Sequence, residues 1–147
     1  GISSEVAKKL ANKGFKIIEA TGRNGTSWPL VEAARSKSSI GRTFADWGLT
    51  TTESLQACSQ VVGLTLIAGG GIRTGLDAVK AFCLGADLVS IGLPVLKAAA
   101  KSKEKAKGYL EQIIVEIKIA MFCLGVKDLV ELKKKRKSLI IKKSIVL

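Results

Sequence analysis

Apolar and polar positions follow two regimes along the chain. Up to about residue 100, short apolar runs alternate with segments of helical spacing; beyond it, helical spacing continues without a further strand-like run. The serines at Ser3 and Ser4 can cap a helix over Ser3–Lys13, with Val6, Leu10 and Ala11 at helical spacing and Gly14 as its stop. Phe15–Ala20 is short, apolar and bounded by glycines, which predicts a strand. Trp28–Arg35 reads as a short helix followed by a polar loop, Ser36–Arg42. Thr51–Val62 reads as a helix with Leu55, Cys58 and Val62 on one side. The spacing then predicts a strand at Leu64–Ala68, a helix at Thr74–Leu84 and a strand at Leu88–Ile91. Helices follow at Val95–Ala100, Lys103–Leu124 and Lys127–Lys135, with Asp128 favourably placed in a first turn. The tail Ser138–Leu147 mixes lysine with isoleucine and leucine and receives no firm element. Strand–helix repeated three times, with strands largely apolar on both faces, predicts an α/β fold of parallel strands covered by helices.

Composition narrows the function classes. A chain of 147 residues with 47% hydrophobic side chains suits one domain with a true core and argues against disorder. No apolar run approaches the roughly 18–20 residues that cross a bilayer, so no membrane partner is expected. Gly1–Ser4 lacks a basic-then-apolar leader, which leads us to expect a cytoplasmic protein. Cys58, Cys83 and Cys123 are odd in number and form no C-x-x-C pair, which argues against a disulfide framework or a zinc site. The absence of histidine removes Ser-His-Asp and Cys-His catalysis and every histidine-based metal site. No metal ligand is expected in this chain.

The net charge of +12 is uneven, with 24 basic and 12 acidic residues in all and a larger basic excess after residue 100. Lys133–Lys137 with Lys142 and Lys143 forms a basic block that could meet an anionic surface. Its surroundings lack interleaved aromatics, so a solvated helix face explains it better than nucleic acid does.

The glycines lie mostly before residue 100, where they mark candidate anion loops. In Leu64–Ala86 a buried strand runs into Gly69-Gly70-Gly71 and a helix starts within three residues. Such glycines let the backbone turn sharply and present N–H groups to an anion. The following helix is expected to add unsatisfied first-turn N–H groups, and Arg73 a full positive charge. G-x-x-x-x-G-K-[ST] fails because Leu76 stands at the lysine position. G-x-G-x-x-G fails because Thr74 stands at the third glycine. A second turn follows the next strand at Gly92-Leu93-Pro94, with Pro94 suited to a first helical turn. Two successive βα loops converging on one phosphate match the standard site of a (β/α)8 barrel. A third loop, Thr21–Trp28, offers hydroxyls to a phosphate or ring edge and Trp28 as the wall of an apolar pocket.

GGGIRTGLDAVKA, then LGAD and a glycine loop, resembles FMN-dependent (β/α)8 enzymes generally, including hydroxy-acid oxidases and IMP dehydrogenases. GIS-x-E-x-AK, TGRNGTSW, FADWG with TT-x-SL, GLPVLKAA and EIKIAMFCLG with DLVELKK resemble one family, the type 2 isopentenyl-diphosphate isomerases. That resemblance implies interconversion of isopentenyl and dimethylallyl diphosphate, an isoprenoid diphosphate substrate, reduced FMN as an acid–base cofactor, NADPH and Mg2+. By the same resemblance, Thr21 and Thr26 fall around FMN. Gly70, Gly71, Ile72 and Arg73 fall on the first phosphate loop, and Gly92 and Leu93 on the second. The family has two glycines where Asn24-Gly25 stands here, and asparagine tolerates a left-handed backbone.

A complete barrel needs about 250 residues and eight strands. The expectation is therefore the C-terminal part of a (β/α)8 barrel, with about three parallel strands. Residues 1–100 would carry the FMN-phosphate loops and residues 101–147 a basic helical extension. The missing N-terminal half or a homo-oligomer would complete it, and no catalytic residue is assigned. The alternatives are another FMN-dependent barrel oxidoreductase, a group that generally relies on histidine, or a non-catalytic piece with an anion-binding tail.

Overall fold

Ser3 opens the first helix, α1 (Ser4–Asn12), by accepting a hydrogen bond from the Val6 N–H. The structure is a computed structural model that describes residues 1–140. The expected strand at Phe15 starts two residues late, as β1 (Ile17–Ala20), because the Gly14 and Phe15 N–H groups turn back onto the Ala11 and Leu10 carbonyls to close α1. The stretch expected as a polar loop contains a one-turn helix, α3 (Ile40–Thr43), after α2 (Trp28–Ser36). The next helix, α4 (Thr51–Cys58), ends one turn early. Val62, expected on the same side of the helix as Leu55 and Cys58, lies beyond its end and is 95% exposed ahead of Gly63, whose positive φ turns the chain.

β2 (Thr65–Ala68) and α5 (Gly75–Leu84) follow the sequence reading closely. β3 (Leu88–Val89) is shorter than expected, although the Ser90 N–H still bonds the Ala68 carbonyl. The last helices are α6 (Leu93–Ala99), α7 (Lys103–Cys123) and α8 (Leu129–Leu139). Asp128 is the N-cap of α8 rather than part of its first turn, accepting from the Glu131 N–H at 2.7 Å. The end of the tail, including Lys142 and Lys143, lies outside the described residues. No helix among the described residues is long and apolar enough to cross a membrane.

The three strands form one parallel sheet in the order β1-β2-β3, with Ala20 beside Ala68 and Ala68 beside Val89. This is the expected α/β arrangement, part of a (β/α)8 barrel. Among the described residues, helices cover one face only. There Ile18, Ala20, Leu66 and Ala68 meet Leu55 and Cys58 of α4 and Ala78, Val79 and Phe82 of α5. Met121, Val126 and Leu132, from α7, α8 and the turn between them, belong to the same core. On the other face Ile17 is 60% and Leu88 55% exposed, so the apolar character read on both faces has helical cover on one.

Candidate functional site

Because the strands are parallel and in register, the loops leaving their C-terminal ends share one edge of the sheet. They line a cleft of about 1000 Å³, and all eight residues singled out from the sequence border it: Thr21, Thr26, Gly70, Gly71, Ile72, Arg73, Gly92 and Leu93. Ile72 faces the core, so its backbone is what it can offer the cleft. Trp28 is 75% exposed and borders the same space, as a wall rather than as core.

Gly70 (φ +70°) and Gly71 (φ +105°) occupy the left-handed region that glycine enters freely. Among the described residues, the N–H groups of Gly70, Gly71 and Ile72 have no hydrogen-bond partner in the protein. Among the described residues the Arg73 guanidinium bonds only the carbonyls of Gly71 at 3.2 Å and Asn24 at 3.5 Å and makes no ion pair. Free amides and an uncompensated guanidinium form a donor set suited to a phosphate.

The N-terminus of α5 departs from the sequence reading, which supplied it with free N–H groups. The Asp77 carboxylate accepts from the N–H groups of Arg73 (3.2 Å) and Thr74 (3.1 Å), and the Thr74 hydroxyl accepts from the Asp77 N–H. Glu116 of α7 accepts from the Gly75 N–H at 2.6 Å. Burial would raise the Asp77 pKa, but the bonds from Thr74 and the two backbone N–H groups outweigh it and hold the carboxyl below its ordinary range. Glu116 is likewise lowered, chiefly by the Gly75 N–H and then by Gln112. The N–H groups of Arg73, Thr74, Gly75 and Asp77 are taken by the protein's own side chains, so the donors of this turn that border the cleft and remain for a ligand are the Gly70, Gly71 and Ile72 amides and the Arg73 side chain.

The turn after β3 differs. Gly92 caps α6 without any side-chain hydrogen bond, Pro94 sits in the first turn, and the Gly92 and Leu93 N–H groups have no partner among the described residues.

The turn after β1 is tied down by residues that the motif search missed. Asn24 accepts from the Thr51 N–H at 2.9 Å, and the Thr51 hydroxyl donates to the Gly70 carbonyl at 2.5 Å. Asn24 is not left-handed, so its side chain rather than its backbone tolerance explains its place in the loop. Arg23 pairs with Asp46 at 2.6 Å while its buried Nε finds no acceptor. From α7, the Tyr109 hydroxyl donates to the Arg73 carbonyl at 2.5 Å, bracing the glycine turn, and Tyr109 itself borders the cleft. The signals that could have exposed the helix ends are the T-x-x-E and T-x-x-D spacings of Thr50–Glu53 and Thr74–Asp77, both capping boxes.

Among the described residues no three His, Cys, Asp or Glu side chains converge as a metal site would require.

A family model described as FMN-dependent dehydrogenase matches residues 40–139. The chain is 45% identical over 141 residues to an isopentenyl-diphosphate delta-isomerase of Stutzerimonas stutzeri, covering 92% of this chain and 41% of that protein. It is 43% identical over 143 residues to one of Pyrococcus furiosus, covering 91% and 35%. It thus spans well under half the length of these curated relatives. A mandelate oxidase holding an FMN adduct superposes with a TM-score of 0.70 at 25% identity, over 91% of this chain and 38% of that one.

Proposed function

The chain belongs to the FMN-dependent dehydrogenase family, and from that premise we propose that it is the FMN-phosphate-binding portion of an isopentenyl-diphosphate delta-isomerase. The observation that carries the reading is the convergence of the turns after β2 and β3, with their free glycine amides and Arg73, on one cleft. Bound there, reduced FMN would supply an acid–base group able to move a proton during migration of a double bond. The chain's own residues do the holding. The amides of Gly70, Gly71, Ile72, Gly92 and Leu93 point donors at the phosphate, Arg73 adds charge, and Thr21 and Thr26 border the flavin. In this reading residues 1–100 carry the binding loops and residues 101–147 buttress them, through Tyr109 and Glu116. NADPH and Mg2+ enter only through the resemblance to type 2 isopentenyl-diphosphate isomerases, and an isoprenoid diphosphate substrate through the isomerase relatives. The open sheet face, with Ile17 and Leu88, would pack on further protein, either the rest of a barrel or a second copy of the chain.

Acid–base turnover requires donor, cofactor and substrate held together, and this chain by itself should convert no isopentenyl diphosphate with FMN, NADPH and Mg2+ present. Flavin fluorescence titration tests the binding: FMN should bind at least tenfold more tightly than riboflavin, which lacks the phosphate. Equal affinities would overturn the reading.

A further inference from the structure

The side of α7 turned away from the core carries an apolar stripe that the described residues leave uncovered. Ile113, Ile117, Ala120 and Met121 share the side that packs on the core. Ile113 and Ile117 also meet Gly75 of α5 there. Ile114, Val115 and Phe122 turn away from that side and are exposed, Phe122 by 85%. At 3.6 residues per turn, Glu111 and Lys118 fall on the same exposed side. Single exposed apolar residues are ordinary, but a contiguous stripe set among charges marks a contact surface.

The order of the charges says what fits this stripe. Glu111 and Lys118 stand at equal distances from the midpoint between Ile114 and Val115, and so do Lys107 and Phe122. A second copy of α7, laid antiparallel about a twofold axis at that midpoint, sets each Glu111 against the other copy's Lys118. Ile114 and Val115 meet their own counterparts at the centre, as an isologous interface requires. Phe122 then lies over the other copy's Lys107, whose aliphatic stem and ammonium both suit an aromatic face. A parallel pair would set Glu111 against Glu111 and Lys118 against Lys118, and like charges repel. Both charges are available. Among the described residues Lys118 makes no ion pair, and Glu111 pairs only with Lys107 of its own helix, at 3.6 Å and with both side chains largely exposed. From Lys107 to Phe122 the seam is about 22 Å long, one helix pair in extent, so the association should be weak and concentration-dependent.

We propose that two copies of this chain associate through α7, antiparallel about a twofold axis between Ile114 and Val115. This contact is separate from the open sheet face of Ile17 and Leu88 and does not depend on the flavin reading.

Sedimentation velocity of the full chain over a range of concentrations should show a monomer–dimer equilibrium. Lys118→Glu sets carboxylate against carboxylate at both ends of the contact and should weaken the dimer about tenfold or more. Glu111→Lys sets ammonium against ammonium and should weaken it comparably. Both positions are exposed, so each variant should keep the helix content of the unaltered chain by circular dichroism. An equimolar mixture of the two variants should form a heterodimer about tenfold or more tighter than either variant's own dimer, because every charge then meets its opposite. A chain that stays monomeric leaves the stripe to the rest of a barrel or to another protein, and overturns the proposal. A dimer that neither substitution weakens is formed by another surface, the open sheet face included, and overturns it equally. A mixture that associates no more tightly than the separate variants would overturn the antiparallel pairing.

Discussion

The turns after β2 and β3 stand side by side at one end of the same sheet, each a strand, a glycine and a helix, yet they treat the helix end in opposite ways. At α5, Asp77 and Glu116 accept the N–H groups of Arg73, Thr74 and Gly75, and Tyr109 fixes the Arg73 carbonyl. At α6, no side chain caps Gly92, and a Cβ added there would meet nothing within 4 Å. One turn is tied down at Arg73, Thr74 and Gly75 by its own side chains and offers the cleft the Gly70, Gly71 and Ile72 amides and a guanidinium. The other is open. The contrast shows that a glycine motif identifies where a backbone turns but not which of its donors remain free.

Substitution of the glycines should separate the two turns most sharply. Gly71→Val places a β-branched residue at φ +105° with Asn24 Cβ 3.0 Å from the new Cβ, and should destabilise by about 1–3 kcal/mol. Gly92→Ala, at φ −94° in open space, should stay within about 0.5 kcal/mol. Urea unfolding measures both, and equal losses would erase the distinction.

A smaller effect is expected from the cap itself. Asp77→Ala should lower stability by about 1 kcal/mol, as loss of a helix cap does. It should not weaken FMN binding, because it releases two backbone N–H groups and removes a negative charge beside the turn. Weaker FMN binding would mean that the capped end contributes to the site. The Asp77 carboxyl is held below its ordinary value of 3.8, so its contribution is complete above that value and fades as pH falls through the lower folded value. The stability gap between Asp77→Ala and the unaltered chain should therefore close below about pH 3.8, as acid titration of the unfolding midpoint would show.

Much of this architecture was legible in the sequence, because short apolar runs bounded by glycine leave little choice but strands. The three strands and their parallel pairing follow from runs such as LTLIA and the glycines after them, and the family resemblance picked out the eight residues that border the cleft. The ends moved where backbone groups had local alternatives: Phe15 closes α1 instead of joining β1, and Leu93 begins α6 ahead of Val95. The state of the α5 N-terminus was half legible. Thr74 and Asp77 stand at capping-box spacing, but Glu116 reaches Gly75 from 41 residues away, which no local pattern announces. The same distance problem hides Glu19 and Ser90, joined across 71 residues. Sequence could not show that one sheet face would lack helical cover, since strands buried on both sides read alike whatever buries them.

The central claim is that the anion held between these two turns is the phosphate of a flavin, and Arg73→Ala tests it most directly. Its guanidinium touches only two carbonyls, so its loss should leave the fold intact. Flavin fluorescence titration should show FMN affinity falling about ten- to a hundredfold, the range of a charge-assisted hydrogen bond, with riboflavin affinity unchanged. An equal loss for FMN and riboflavin would make Arg73 a structural residue and contradict the phosphate assignment.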